Sequence, residues 1–89
     1  MAWVIEIDAD ARKDLKKLNP QIAKRILSFL HDRLEKLENP RSIGEALHGP
    51  KLGEFWKYRV GDNRIISRIE DDVVTVVVVA IGNRREVYR

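Results

Sequence analysis

The sequence predicts one α+β domain, 1–89, with an N-terminal strand and a two-helix hairpin packed on a mainly antiparallel four-stranded sheet. Three observations lead there. Residues 2–7 alternate with a period of two, residues 11–37 place apolar side chains at helical spacing, and residues 54–81 return to strand-like patterns broken by turn residues. A length of 89 residues leaves room for one core. An apolar fraction of 44% can fill that core, and a charged fraction of 35% makes much of the remaining surface ionic.

In the first strand Trp3, Ile5 and Ile7 share one side, opposite Val4 and Glu6. Asp8 or Asp10 can then cap a short amphipathic helix on which Ala11, Leu15 and Leu18 recur at i, i+4 and i+7. Asn19-Pro20 restarts the chain as a second helix, since asparagine caps and proline suits the first helical position. Ile22, Ile26, Leu30, Leu34 and Leu37 carry its apolar stripe until Asn39-Pro40 stops it. Two helices joined so tightly form a hairpin whose stripe needs a sheet to cover.

Residues 41–53, with Gly44, Gly49, Pro50 and Gly53, follow neither period and read as a connecting loop. Glu54–Val60 then alternates, Phe55, Lys57 and Arg59 on one face and Trp56, Tyr58 and Val60 on the other. Gly61-Asp62-Asn63 turns the chain into Arg64–Ile69, where Ile65 and Ile69 face away from Arg64 and Arg68. After a turn at Glu70-Asp71-Asp72, the run Val73–Ile81 is apolar on both faces, which suits a strand inside a sheet.

Composition removes several classes of function. Without cysteine there is no disulfide framework or thiolate metal site, and His31 and His48 cannot build a structural zinc site alone. The run at 73–81 is too short to cross a bilayer as a helix. The N-terminus has no positive region and meets Glu6 early, so the expectation is a cytoplasmic protein without a signal peptide or membrane partner. A net charge of +3 favours a polyanionic partner. There is no Ser-His-Asp order, glycine-rich phosphate loop or metal-ligand spacing, so any catalysis is expected to run on charge, with no metal and no cofactor.

The cations of the second half fall on and beside the predicted strands. Lys57 and Arg59 share a strand face, Arg64 follows the hairpin turn, and Arg84, Arg85, Tyr88 and Arg89 close the sequence. The turn makes Arg59 and Arg64 cross-strand neighbours, an arrangement that costs roughly 0.2–1 kcal/mol in repulsion and suggests an anion between them. A solvated edge protected from aggregation by cations is the plainer reading of the same pattern. Tyr88 can stack on a base, or simply fold back on the core. Glu45 is the one carboxylate of the 41–53 loop placed to act as a base near these strands, although a solvated loop acid is the commoner role. His48 is a candidate proton shuttle by residue type, although a lone loop histidine is more often just a polar residue. Trp3, Trp56 and Tyr58 read as core, and His31, at mid-helix, as having no catalytic role.

Three segments together resemble the RelE/ParE superfamily of toxins from toxin–antitoxin modules: ARKDLKKLNP in the helices, LHGPKLGEFWKYRVGDNRII across the loop and first hairpin, and VVVVAIGNRREVY at the end. The resemblance covers nearly the whole chain. It implies two helices on a curved sheet with the site on the concave side, and a ribosome-dependent mRNA endonuclease that cuts A-site codons, leaving a 2′,3′-cyclic phosphate. On that resemblance Lys57 stabilises charge, Arg64 grips the phosphate, Arg84 protonates the leaving oxygen and Tyr88 orients the substrate; Lys51, Arg68, Arg85 and Arg89 are expected to contact RNA as further cations of the same half.

Arg59 stands where RelE-like members can carry a lysine proposed as base; arginine stays protonated and clamps phosphate instead. Glu45, His48 and a neutral Lys57 are the remaining candidates for proton abstraction. The resemblance also implies the ribosome and mRNA as partners, and a cognate antitoxin whose acidic segment covers the basic groove. Two other readings stay open, a ParE-like inhibitor of DNA gyrase without nuclease activity and a catalytically silent binding module.

Overall fold

The computed structural model describes residues 3–47 and 55–83. Strand β1, Val4–Ile7, leads into helix α1, Ala9–Lys17, through Asp8, whose carboxylate accepts the Ala11 N–H at 2.8 Å and so satisfies one of the free donors of the first turn. Asn19 repeats the device for helix α2, Pro20–Ser28, accepting the Gln21 N–H at 2.8 Å. Both caps follow the sequence expectation.

Beyond Ser28 the second helix departs from it. Phe29–Leu34 is π-helical, with Glu35 N–H donating to Leu30 C=O five residues back. The apolar positions explain the wider turn. Ile26, Leu30 and Leu34 recur every four residues, which outruns an α-helix of 3.6 residues per turn, and the π turn keeps all three fully buried.

The sheet runs β1-β5-β4-β3-β2, with β2 at Glu45–Ala46, β3 at Phe55–Val60, β4 at Asn63–Glu70 and β5 at Thr75–Asn83. Among the described residues it therefore has five strands where the sequence predicts four. The added strand is β2, which lies in the stretch read as an aperiodic loop, after a 3-10 turn at Pro40–Ser42. Two residues are too few to show alternation, and their pairing to β3 is set by contact, not by local pattern.

β5 is an inner strand, as its two-sided apolar pattern requires. It pairs parallel with β1 and antiparallel with β4. It begins at Thr75 and not at Val73, because Asp71–Val73 forms a 3-10 turn and Val74 takes a left-handed conformation (φ 49°), strained for a β-branched residue, before the strand starts. β1 ends opposite Val78, so among the described residues the later edge of β5 has no strand partner on that side. Asp14 of α1 answers one of those groups, accepting the Ile81 N–H at 3.0 Å. A register shift between Ile66 and Ser67 of β4, opposite Ala80 and Val78, marks a bulge that bends and twists the sheet.

The core lies between the helices and one sheet face, where Ala11, Ile26, Leu30 and Leu34 meet Tyr58, Ile65, Val76 and Val78. Burying a large aliphatic side chain of this kind contributes about 1.5–3 kcal/mol. Tyr58 is 1% exposed, tilts against Phe29 at 5.7 Å between ring centroids, and donates its hydroxyl to the Pro40 carbonyl at 2.7 Å. Burial pushes its phenol well above the usual tyrosine range. Trp3 and Trp56 pack against the same core with their indole N–H groups donating to the Glu38 and Ile43 carbonyls.

Candidate functional site

Strand alternation sends Phe55, Lys57 and Arg59 of β3 to the face opposite Tyr58, and the β3–β4 register sets them against Arg68, Ile66 and Arg64. The register thus pairs Arg59 directly with Arg64. Gly61 takes a left-handed φ of 61° in the two-residue turn that fixes this alignment.

The two arginines of the pair differ in environment. Arg59 is largely exposed, and its guanidinium lies 3.2 Å from Glu45. Arg64 is only 9% exposed and is held by backbone, donating to the Asn63 and Gly61 carbonyls at 3.1 and 3.3 Å. It makes no ion pair among the described residues. A buried guanidinium whose acceptors are neutral carbonyls keeps its full charge for another anion.

Glu45 is the residue that the sequence treats least generously and the fold brings in. Its Oε1 is 3.5 Å from Lys57 Nζ as well as 3.2 Å from Arg59. β2 puts it there by pairing Glu45 with Lys57 across the strand. Gly44 makes that pairing feasible: its φ is +81°, and a Cβ would strike the Lys57 carbonyl and come within 2.7 Å of the Trp56 indole nitrogen. Behind this group the π-helical turn adds Arg33, stacked over Phe29 with its guanidinium carbon 6.0 Å from the ring centroid. Arg33, Glu45, Lys57 and Arg59 together line a cavity of about 280 Å³. Arg33 has no signal in the sequence, where it is one of several charges on a helix.

Arg68 lies farther along the same face and pairs with Glu70 at 3.0 Å. His31 contacts Glu35 at 3.3 Å on an exposed helical turn. Lys51, His48, Arg84, Arg85, Tyr88 and Arg89 lie outside the described residues.

A basic sheet face backed by two helices, in a chain of this size, matches a known family along almost its whole length. The family model described as the ParE toxin of the type II toxin–antitoxin system parDE matches residues 5–88. The chain belongs to the RelE/ParE superfamily of type II toxins. Among its relatives, Toxin RelG of Mycobacterium tuberculosis is 32% identical over 89 residues, covering 100% of this chain and 99% of the relative. The mRNA interferase toxin RelE of Escherichia coli K12 is 30% identical over 90 residues, covering 99% and 92%. The crystal structure of the RelBE2 toxin–antitoxin complex from Mycobacterium tuberculosis superposes with a TM-score of 0.85 at 28% identity, covering 94% of this toxin and 100% of that chain. The α+β fold of the toxin is thus the RelE-like one, two helices with a five-stranded mixed sheet.

Proposed function

We propose that this toxin is an mRNA endonuclease that acts on the translating ribosome, in the A site, and needs no metal. The observation that carries the reading is the convergence of Lys57, Arg59 and Arg64 on one sheet face, with the Glu45 carboxylate between Lys57 and Arg59. The name of the Escherichia coli relative, an mRNA interferase, supports the same chemistry.

The 2′-hydroxyl of RNA attacks the neighbouring phosphorus, the new O2′–P bond forms as the P–O5′ bond breaks, and the products are a 2′,3′-cyclic phosphate and a 5′-hydroxyl. The pentacovalent transition state carries an extra negative charge, which Lys57, Arg59 and Arg64 stabilise. Arg64 is pre-set for this by its backbone carbonyls, so little reorganisation is needed when the phosphate arrives. Of the three candidates for the base, Glu45 is the carboxylate that reaches the cations, and we assign it the 2′-hydroxyl proton. Arg84 then supplies the proton to the leaving O5′ and Tyr88 orients the substrate, the roles implied by the resemblance. A cognate antitoxin, like those in the solved complexes of similar toxins, would cover this face with acidic residues.

The test is mRNA cleavage in a translation extract. Wild-type toxin should cut within translated codons, and Arg64→Ala should lower the rate by about 10²–10³-fold, the usual loss for one preorganised donor to a developing oxyanion. Intact mRNA in the presence of translating ribosomes, or equal cutting by Arg64→Ala and Arg84→Ala, refutes the proposal. The matched family model, named for ParE, favours one second reading, inhibition of DNA gyrase without nuclease activity. A supercoiling assay separates the two.

A further inference from the structure

Phe55 begins β3 on the same face as Lys57 and Arg59 and lies directly opposite Arg68 of β4. Of the other aromatic side chains among the described residues, Tyr58 lies in the core on the helix side and Trp3, Phe29 and Trp56 pack against it, Trp56 also reaching the cavity that Phe55 borders. Phe55 belongs to the basic face and is only half-buried. It borders a cavity of about 440 Å³ at the end of the sheet where β3 begins and β4 ends, together with Arg41, Arg68 and Glu70.

The charge balance of this cavity differs from that of the phosphate site. Arg68 is paired with Glu70 at 3.0 Å, and Arg41 is held by both Asp71 oxygens at 2.8 and 3.0 Å. Each guanidinium here has its own carboxylate, whereas Lys57 and Arg59 share Glu45 and Arg64 is held by backbone carbonyls alone among the described residues. A locally neutral cavity with an aromatic wall does not select a phosphate. It suits a nucleobase, which is uncharged, has a π-face for stacking and carries donors and acceptors at its edge.

We propose that Phe55 and the Arg68–Glu70 pair form a nucleobase subsite, occupied by a base next to the phosphate that Lys57, Arg59 and Arg64 hold. The proposal rests on the RNA-cleaving reading and adds to it a position at which the message is gripped by its base. Phe55 supplies the stacking surface. Glu70 accepts from an exocyclic amine and Arg68 donates to a ring or carbonyl acceptor. The spacing agrees, because Phe55 and Lys57 are two strand residues apart, about 6.6–6.8 Å along β3. That is within one nucleotide's reach of an extended RNA backbone.

The experiment measures toxin bound to ribosomes programmed with an mRNA that carries a 2′-deoxynucleotide at the cleavage position, so that no cutting interferes. Two further messages carry an abasic nucleotide, one immediately 5′ and the other immediately 3′ of that position. Phe55→Ala should bind the intact message about tenfold to a hundredfold more weakly than wild type, the range expected for one lost base stack. Phe55→Trp should restore binding. On one of the two abasic messages wild type and Phe55→Ala should bind alike. Equal binding of the two proteins to the intact message overturns the subsite. So does a Phe55→Ala deficit of the same size on all three messages, which marks a structural role. If wild type fails to bind programmed ribosomes or to cut a cleavable message on them, the RNA-cleaving reading falls first and the subsite with it.

Discussion

On the helix side of the sheet, Tyr58, Ile65, Val76 and Val78 are shut off from water by apolar neighbours; one residue along the same strands, Lys57, Arg59 and Arg64 face the other way and carry charge. The helix side is held by dispersion and apolar burial, which tolerate little change in volume. The other side mixes two kinds of residue. Ile66 and Val77 are nearly as inaccessible as the core, at 6% and 7% exposure, while Arg59 is open to solvent and Arg64 is fixed by backbone carbonyls. Alternation lets one strand serve both, so stability and the proposed chemistry should be separable by substitutions at adjacent positions.

The largest expected effect is on the helix side. Leu30→Ala, at a fully buried position, should cost about 2–5 kcal/mol in denaturant unfolding. Toxin that remains folded should keep its cleavage activity, and a proportionate loss of both would break the division between the faces. Next comes Glu45→Gln on the basic side. Its cleavage rate should fall by about 10²-fold, worth roughly 2.7 kcal/mol of activation free energy. Binding to a 2′-deoxy message should hold or improve, because one carboxylate no longer competes for Lys57 and Arg59. Full cleavage by this variant would remove Glu45 as the base and leave it a brace for the cations.

Gly44→Ala tests the join between the faces. The left-handed φ and the approach to the Lys57 carbonyl and Trp56 should make it lose about 1–3 kcal/mol of stability and also reduce cleavage, because β2 carries Glu45. An unchanged thermal midpoint with unchanged activity would show that β2 does not need this turn.

The smallest effect concerns acid. The Arg41 hydrogen bond holds the Asp71 carboxyl below its ordinary range, so the pair adds stability above the unfolded carboxyl's pKa, near 3.9, and loses it as pH falls through the lower folded value. In thermal melts from neutral to acid pH, Asp71→Asn should remove a small part of the acid sensitivity. Because Asp71 lies on the surface, a large change would mean the pair does more than brace one turn.

Local pattern in the sequence was enough for several elements. Asp8 and Asn19 are caps because each precedes an apolar helical stripe, the β3–β4 hairpin follows from Gly61-Asp62 between two alternating runs, and the opposition of Arg59 and Arg64 follows from that turn. The inner place of β5 follows from its two apolar faces. Each of these rests on residues close in sequence, where spacing and turn chemistry act directly.

Only the tertiary structure decided the rest. β2 is too short to have a period, so Glu45 could become a neighbour of Lys57 and Arg59 only by pairing across to β3. Arg33 and Phe55 entered their cavities through packing between segments far apart in the chain. Arg64 is already a phosphate-gripping candidate in the sequence, but its burial is set by the fold alone. Periodicity reports which way a side chain points; what it meets there depends on contacts between distant segments, which no local spacing encodes.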